Sequence, residues 1–198
     1  MTKAGPGGKG AKKRLEILRS AAAVFRRRGY YGASVDAIAR ELHMTKGNLY
    51  YYFRSKEEIL YFCHDYSVNL LLELLARVEA SNASPPEKLR TLIVEFVHMI
   101  LDELHGTALT LDPQALSPQR LRKIVAKRDE FDRGVRRILR QGMDQGAFEE
   151  KDVKLLELAI LGSLNWIPRW FSPAGPAHSD EIAAAFADFL VAGALRRA

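Results

Sequence analysis

A run of polar and aromatic side chains at residues 45–51 holds the groups in this 198-residue chain that most suggest specific chemistry. Lys46 and Asn48 can donate hydrogen bonds, and the hydroxyls of Tyr50 and Tyr51 can both donate and accept them. If this run is helical, all four side chains can face outward. Such a surface suits contacts to base edges and phosphates, and it does not suit a protein core.

Two short helices are needed to hold this run in place. Ser34 can cap the first helix, whose apolar positions follow the i, i+3, i+4, i+7 spacing of one buried face. These positions are Val35, Ile38, Ala39 and Leu42. Thr45 can cap the second helix, which has Leu49 and Phe53 as its apolar edge. The link of about three residues forces a steep crossing, so the sequence predicts a helix-turn-helix.

Three segments strongly resemble the DNA-binding domain of TetR-family transcriptional repressors. They are Ile38-Ala39, residues 45–53 (Thr-Lys-Gly-Asn-Leu-Tyr-Tyr-Tyr-Phe) and residues 55–60 (Ser-Lys-Glu-Glu-Ile-Leu), within a match of about residues 11–62. His43 stands where that family usually has glycine in the turn. If the backbone there needs a positive φ, histidine carries a strain that glycine would avoid.

The resemblance implies that the chain binds double-stranded DNA at a pseudo-palindromic operator. Base contacts are expected from Lys46, Asn48 and Tyr51. Phosphate contacts are expected from Thr45, Tyr50 and Lys56, and Ser34 and Gly47 complete the expected DNA-binding set. In a symmetric dimer, the two recognition helices should meet successive major grooves about 34 Å apart.

The distribution of charge also indicates a polyanionic partner. The formal net charge is +6, but residues 1–55 hold 12 Lys and Arg against 3 Asp and Glu, a net charge of +9. The remaining 143 residues hold 18 and 21 of these residues, a net charge of −3. Because the excess coincides with the helix-turn-helix, nucleic acid is favoured over a merely solvated basic face.

Composition excludes several other functions. The single cysteine, Cys63, allows neither an internal disulfide nor a cysteine metal cluster, which fits a reducing cytoplasm. The first 13 residues lack the apolar run of a signal peptide, and no apolar stretch reaches transmembrane length. No catalytic triad, ligand spacing or phosphate loop is present, so we expect no enzyme activity, cofactor or metal.

The whole chain is predicted to be helical. We expect a basic tail at 1–10, a three-helix DNA-binding domain at 11–56, and an effector-binding and dimerisation domain at 57–198. The first helix should run from about Ala11 to Arg28 and end at Gly29. Further helices are predicted from Ser55 to about residue 80 and at 86–105, 118–145, 151–171 and 179–195, with a loop at 106–117 that contains at most one turn.

The last two predicted helices have too few polar positions to form a solvated face. The segment 151–171 is apolar nearly all round, and 179–195 combines large apolar side chains with many alanines. Such helices need cover on two sides, which predicts a homodimer through a four-helix bundle. The alternative is that both helices are central in one large core.

One charged residue interrupts an otherwise apolar stripe in the 118–145 helix. A buried cation such as Arg128 is costly unless it is paired, so its presence needs a reason. One interpretation is an i, i+4 pair with Asp132. The other is contact with an anionic ligand. Arg133, Arg136, Arg137 and Arg140 are expected on the solvated side of this helix.

The segment 165–182 resembles TetR-type regulators that respond to acyl-coenzyme A thioesters. It contains Asn165-Trp166-Ile167-Pro168-Arg169-Trp170-Phe171, where Pro168 should kink or end the helix. A thioester needs an apolar tunnel and cations for its phosphates. Phe96, Phe131 and Trp166 could line the tunnel, with Trp170 at its mouth. Arg128, Arg169 and Arg136 could meet the phosphates.

Two alternatives remain open for the second domain. A lipophilic cation is the competing ligand class, with the inward-facing carboxylate of Glu103 as its counter-charge. A constitutive DNA-binding dimer without an effector would fit the first domain equally well. An enclosed cavity with an inward cation would argue against the constitutive dimer, whereas a filled core would favour it.

Overall fold

Helices make up the regular secondary structure of the computed structural model, which describes residues 9–103 and 113–196. The predicted all-α fold is confirmed. The helices are α1 (Lys9–Gly32), α2 (Val35–Glu41), α3 (Lys46–Tyr52), α4 (Lys56–Ala80), α5 (Pro85–His98), α6 (Pro118–Asp144), α7 (Val153–Trp170) and α8 (Ser179–Ala194). A π-helical segment at Met99–Glu103 follows α5, and a 3-10 turn covers Pro113–Ala115.

Three helix ends differ from the sequence predictions. Gly29 interrupts the first helix at φ 67 and ψ 166, as predicted, but a further turn continues to Gly32. The helix predicted at 86–105 is α-helical only to His98 before it widens into the π-helical segment. Pro168 was predicted to kink or end the helix, and it does not end α7, which continues two residues beyond it to Trp170. The turn expected near residues 108–111 lies outside the described residues.

By internal contacts, the chain divides into two compact units, residues 1–67 with 107–123 and residues 68–106 with 124–198. This division runs through α4, not at its start. The functional boundary between residues 56 and 57 stays a prediction.

In the first unit, α1 packs on α2 and α2 packs on α3. Its buried core includes Ile17, Leu18, Phe25, Ile38, Leu49 and Phe53. The guanidinium of Arg14 lies 4.3 Å from the centre of the Phe53 ring and donates a hydrogen bond of 3.1 Å to the carbonyl of Tyr52. Arg14 therefore ties α1 to the end of α3.

In the second unit, α5 packs mainly against α8. A Cβ at Gly134 would lie 2.1 Å from Cδ2 of Leu75, so a larger residue on α6 would force the Leu75 side chain of α4 to move. Gly142 is similarly close to the Phe148 ring. Ser84 and Glu87 form a capping box at the start of α5. These contacts fix the helices that carry the predicted effector residues.

Candidate nucleic-acid interface and ligand region

Local capping builds the helix-turn-helix as the sequence predicts. The Ser34 hydroxyl accepts a hydrogen bond from the backbone N–H of Ala37 at 3.1 Å, and the Thr45 hydroxyl accepts one from Asn48 at 3.2 Å. Between the two helices, His43 adopts φ 51, the left-handed conformation in which glycine is favoured. The turn geometry is retained despite the histidine.

The recognition helix α3 has one buried edge and an open outer surface. Leu49 and Phe53 are buried, whereas Thr45, Lys46, Gly47, Asn48, Tyr50 and Tyr51 are exposed. Tyr51 is 84% exposed, and its ring packs edge-on against Tyr52 with 5.1 Å between the ring centres. The predicted base-contacting side chains Lys46, Asn48 and Tyr51 therefore lie on the accessible surface of one short helix, whereas Ser34 and Lys56 lie at the starts of α2 and α4.

Lys46 already has a partner. Its Nζ lies 2.9 Å from Oδ2 of Asp36 on α2, and both side chains are about half exposed. The hydrogen bond to Asp36 raises the pKa of Lys46, which keeps the ammonium charged. Contact of Lys46 with DNA requires that this exposed ion pair open or share its ammonium.

Lys56 has a structural role that the sequence did not reveal. Its Nζ donates hydrogen bonds to the carbonyls of Tyr30 at 2.7 Å and Ala33 at 2.9 Å, and it lies 4.3 Å from the centre of the Tyr30 ring. Lys56 thus connects the start of α4 to the last turn of α1 and to the residue that follows it. An ammonium has three N–H donors, so one remains for a phosphate.

The predicted effector residues of the second unit lie in different environments. Phe96 and Phe131 are buried against each other, with ring centres 6.1 Å apart. Trp166 is 61% exposed, and the guanidinium of Arg169 lies 5.6 Å from its ring centre. Trp170 is 48% exposed and stacks on Phe186. Glu103 ends the π-helical segment, and its side chain lies outside what the structure describes.

Arg128 lies in a half-buried position on α6. Burial lowers the pKa of its guanidinium, and the charge of Asp132 counters that shift. Burial likewise raises the pKa of Asp132, while Arg136 and Arg128 oppose the rise. The charges of Arg128 and Asp132 thus act on each other's pKa, whereas the i, i+4 ion pair itself stays a prediction beside contact with an anionic ligand.

Sequence reasoning missed a buried ion pair two turns further along α6. Arg136, expected on the solvated side, has a side chain only 28% exposed, and its Nη1 lies 2.9 Å from Oε2 of Glu157, which is 1% exposed. Burial raises the pKa of Glu157, and Arg136 opposes that rise. The signal was present, because Glu157 is the only acidic residue in the apolar run 155–170.

Two structural observations bear on other functions. Within residues 9–103 and 113–196, no group of three or more histidine, cysteine or carboxylate side chains could hold a metal ion. In the same described ranges, no helix combines the length and apolarity needed to cross a bilayer.

Comparison with family models gives two matches that together cover most of the chain. Residues 17–61 match the model described as bacterial regulatory proteins, tetR family. Residues 82–194 match the model described as tetracyclin repressor-like, C-terminal domain. The second match alone covers more than half of the chain.

Individual relatives agree with these matches. The chain is 27% identical over 187 residues to the HTH-type transcriptional repressor KstR2 of Mycobacterium tuberculosis, covering 91% of this chain and 92% of that protein. The structure of the TetR-family regulator PfmR from Thermus thermophilus has 36% identity and a TM-score of 0.81, covering 91% of this chain and 99% of that one. The structure of AibR with isovaleryl coenzyme A and operator DNA has 27% identity and a TM-score of 0.77, covering 92% and 98%.

Proposed function

The chain belongs to the TetR family of bacterial transcriptional regulators, and from this premise we propose that it is a homodimeric repressor released from its operator by an acyl-coenzyme A thioester. The observation that carries the DNA-binding part is the exposed outer surface of α3, capped by Thr45 and held by the buried Leu49. The protein acts where DNA is accessible, in the cytoplasm, without catalysis.

The division of labour on DNA follows from side-chain chemistry. Lys46, Asn48 and Tyr51 contact base edges, because an amide or ammonium on α3 can discriminate hydrogen-bonding patterns in the major groove. Thr45, Tyr50 and the free N–H of Lys56 contact phosphates. Ser34 and Gly47 lie at the exposed starts of α2 and α3, where backbone N–H groups can face the sugar-phosphate chain.

The homodimer is supported by apolar surface on the last two helices. Leu155, Leu158 and Trp166 on α7 are 65%, 52% and 61% exposed, and Phe189 on α8 is 79% exposed. Leu155, Leu158 and Trp166 follow a helical spacing along one side of α7, and the intervening Gly162 has open space above its Cα. A second copy placing the same two helices here would form a four-helix bundle and remove this surface from water.

The effector class is supported by chemistry and by one relative. AibR is a protein whose structure holds isovaleryl coenzyme A together with operator DNA. In this chain, Phe96 and Phe131 supply aromatic surface, and the half-buried Arg128 supplies a cation for a phosphate or thioester oxygen. Arg169 and Trp170 lie at the exposed end of α7, where the nucleotide part of the thioester would bind. Arg136 is less suited, because Glu157 already neutralises it.

Release follows from differential binding. The dimer can adopt one arrangement that reaches both half-sites of the operator and one that does not. A thioester that binds the second arrangement more tightly lowers DNA affinity, at most by the ratio of its affinities for the two arrangements. A ligand without such a preference would bind and change nothing.

Footprinting on DNA from the gene's own upstream region tests the DNA-binding part. Protection of a pseudo-palindrome over two successive major grooves on one face is expected from a symmetric dimer. Protection of a single half-site, or of no preferred sequence, would contradict the proposal. Thermal unfolding in the presence of thioesters or of lipophilic cations then separates the two ligand classes. A ligand that binds only the folded state raises the midpoint temperature of unfolding, so the class that raises it is the one that binds.

A further inference from the structure

A basic groove between α1 and α2 lies outside the predicted DNA-contact set. It has a volume of about 440 Å³ and is lined by Val24, Arg27, Arg28, Ala37, Arg40, Glu41 and His43. Three guanidinium groups and one imidazole thus face one carboxylate. The predicted DNA-binding residues include none of these side chains.

The cations of the groove are mostly not engaged by the protein. Within the part of the chain that the structure describes, the side chains of Arg28 and His43 have no hydrogen-bond partner. Arg40 donates a long bond, 3.4 Å from its Nε to the carbonyl of Asp36, and among the described residues only Arg27 of these arginines has a close ion pair, 2.7 Å from Glu41. Like charges held together without partners favour an anion between them.

His43 adds an independent observation. At φ 51 a side chain carries a backbone strain that glycine would avoid, and the His43 side chain is exposed. It therefore gains no burial that would offset the strain. Its imidazole lines the groove beside the arginines, where it can donate a hydrogen bond to an anion.

The groove is linked to the recognition helix through Asp36. Asp36 joins Lys46 of α3 on one side through its carboxylate and Arg40 on the other through its carbonyl. A polyanion that contacts the start of α3 therefore meets the groove next. In helix-turn-helix complexes, the helix before the recognition helix crosses the DNA backbone. Both facts favour a DNA strand over a small free anion.

We propose that the groove formed by Arg28, Arg40 and His43, with Arg27, binds phosphodiesters of the DNA backbone, independently of base sequence. This inference rests on the proposed DNA-binding function and extends its contact surface from α3 and α4 to the side of α1 and α2. It assigns the groove about two phosphates, one for Arg28 and one for Arg40.

The test measures full-length protein binding to its operator duplex and to a mixed-sequence duplex of equal length, between about 50 and 200 mM salt. The double variant Arg28→Gln and Arg40→Gln should weaken binding to both duplexes by the same factor. It should also reduce the slope of log K against log salt by about 0.9 per lost phosphate, near 2 in total. Arg133→Gln is the matched control, because the Nε of Arg133 also donates to the carbonyl four residues earlier but lies on α6.

His43→Gly provides a second variant, which we expect to fold at least as stably as the parent. It removes the strain, so the thermal midpoint should hold or rise, while affinity for both duplexes falls by about two- to threefold. An unchanged salt slope in the double variant, or full affinity in His43→Gly, would overturn the inference. Equal affinity of the parent for both duplexes would instead refute operator recognition. The difference in salt slope between the parent and the double variant would still show whether the groove binds phosphates.

Discussion

Lys46 Nζ lies 2.9 Å from Oδ2 of Asp36, so the first basic side chain of the recognition helix is paired within the free protein. DNA must compete with this carboxylate for the ammonium. Asp36 also places a negative charge close to where a phosphate or base edge would approach. The pair therefore weakens binding to non-operator DNA, which makes no base-specific contacts that would offset the cost of opening it.

Replacing Asp36 with Asn should strengthen binding to DNA of any sequence, by roughly three- to tenfold at low salt, because it removes a repulsive charge and frees Lys46. Preference for the operator over mixed-sequence DNA should fall. Fluorescence anisotropy at several salt concentrations measures both effects. Asp129→Asn, an exposed acid on α6, is the control and should change neither.

Two substitutions on α3 should affect DNA binding differently, one changing base preference and the other overall affinity. Asn48→Ala should change which bases are preferred, at a cost of about 1 to 3 kcal/mol for the preferred site, since an amide can make paired hydrogen bonds to a base. Tyr50→Ala should weaken binding to all sequences alike. Selection from a randomised duplex pool measures preference and affinity together. If both variants bound the operator as the parent does, α3 would not be the recognition helix.

The stability of the second unit should depend on the ionisation of Glu157. The pKa of Glu157 is raised in the folded state, so its contribution to stability is complete below the unfolded pKa of about 4.3 and is lost as pH rises through the folded value. The parent should therefore gain stability relative to Glu157→Gln as pH falls through this range. Chemical denaturation at several pH values measures the difference.

Glu87 should give the opposite dependence of stability on pH and serves as the control. Hydrogen bonds from Ser84 lower the pKa of Glu87, so its contribution is present above the unfolded value and is lost as pH falls through the folded one. Relative to Glu87→Gln, the parent should lose stability on acidification. If the parent also lost stability on acidification relative to Glu157→Gln, the pKa of Glu157 would not be raised by burial.

Charge on the exposed apolar surface of α7 and α8 should prevent dimer formation. Leu158→Glu or Phe189→Glu would place a carboxylate in the centre of the proposed interface, where desolvation without a partner is costly. Sedimentation should then show monomers at concentrations at which the parent is dimeric, with weaker operator binding. Arg133→Glu on α6 should leave the mass unchanged. A parent that sediments as a monomer would contradict the proposed assembly.

The parts of the fold that depend on local sequence were predictable. Caps at Ser34 and Thr45 and the buried edge of α3 follow from residue types within one or two turns. The strain at His43 was predicted only on the condition of a positive φ, and the structure shows that condition. The π-helical segment after His98 left no such trace, because its apolar positions also suit a regular α-helix.

Contacts between distant residues were not predictable in the same way. Lys56 bonds to carbonyls more than 20 residues earlier, and Arg136 meets Glu157 on the next helix, 21 residues away. Helical periodicity places each side chain on a face of its own helix but does not say which neighbour covers that face. Arg136 was therefore predicted to be solvated, whereas it forms an ion pair with the buried Glu157.

Control of operator binding by a thioester is tested by titrating the protein–operator complex in a gel shift. Acyl-coenzyme A thioesters of several chain types would be compared with free coenzyme A and the free acids. Release by one thioester, and by neither of its separate halves, is the predicted result. Intact binding to the operator at saturating concentrations of every thioester would contradict it, and release by a lipophilic cation would assign the site to the competing ligand class.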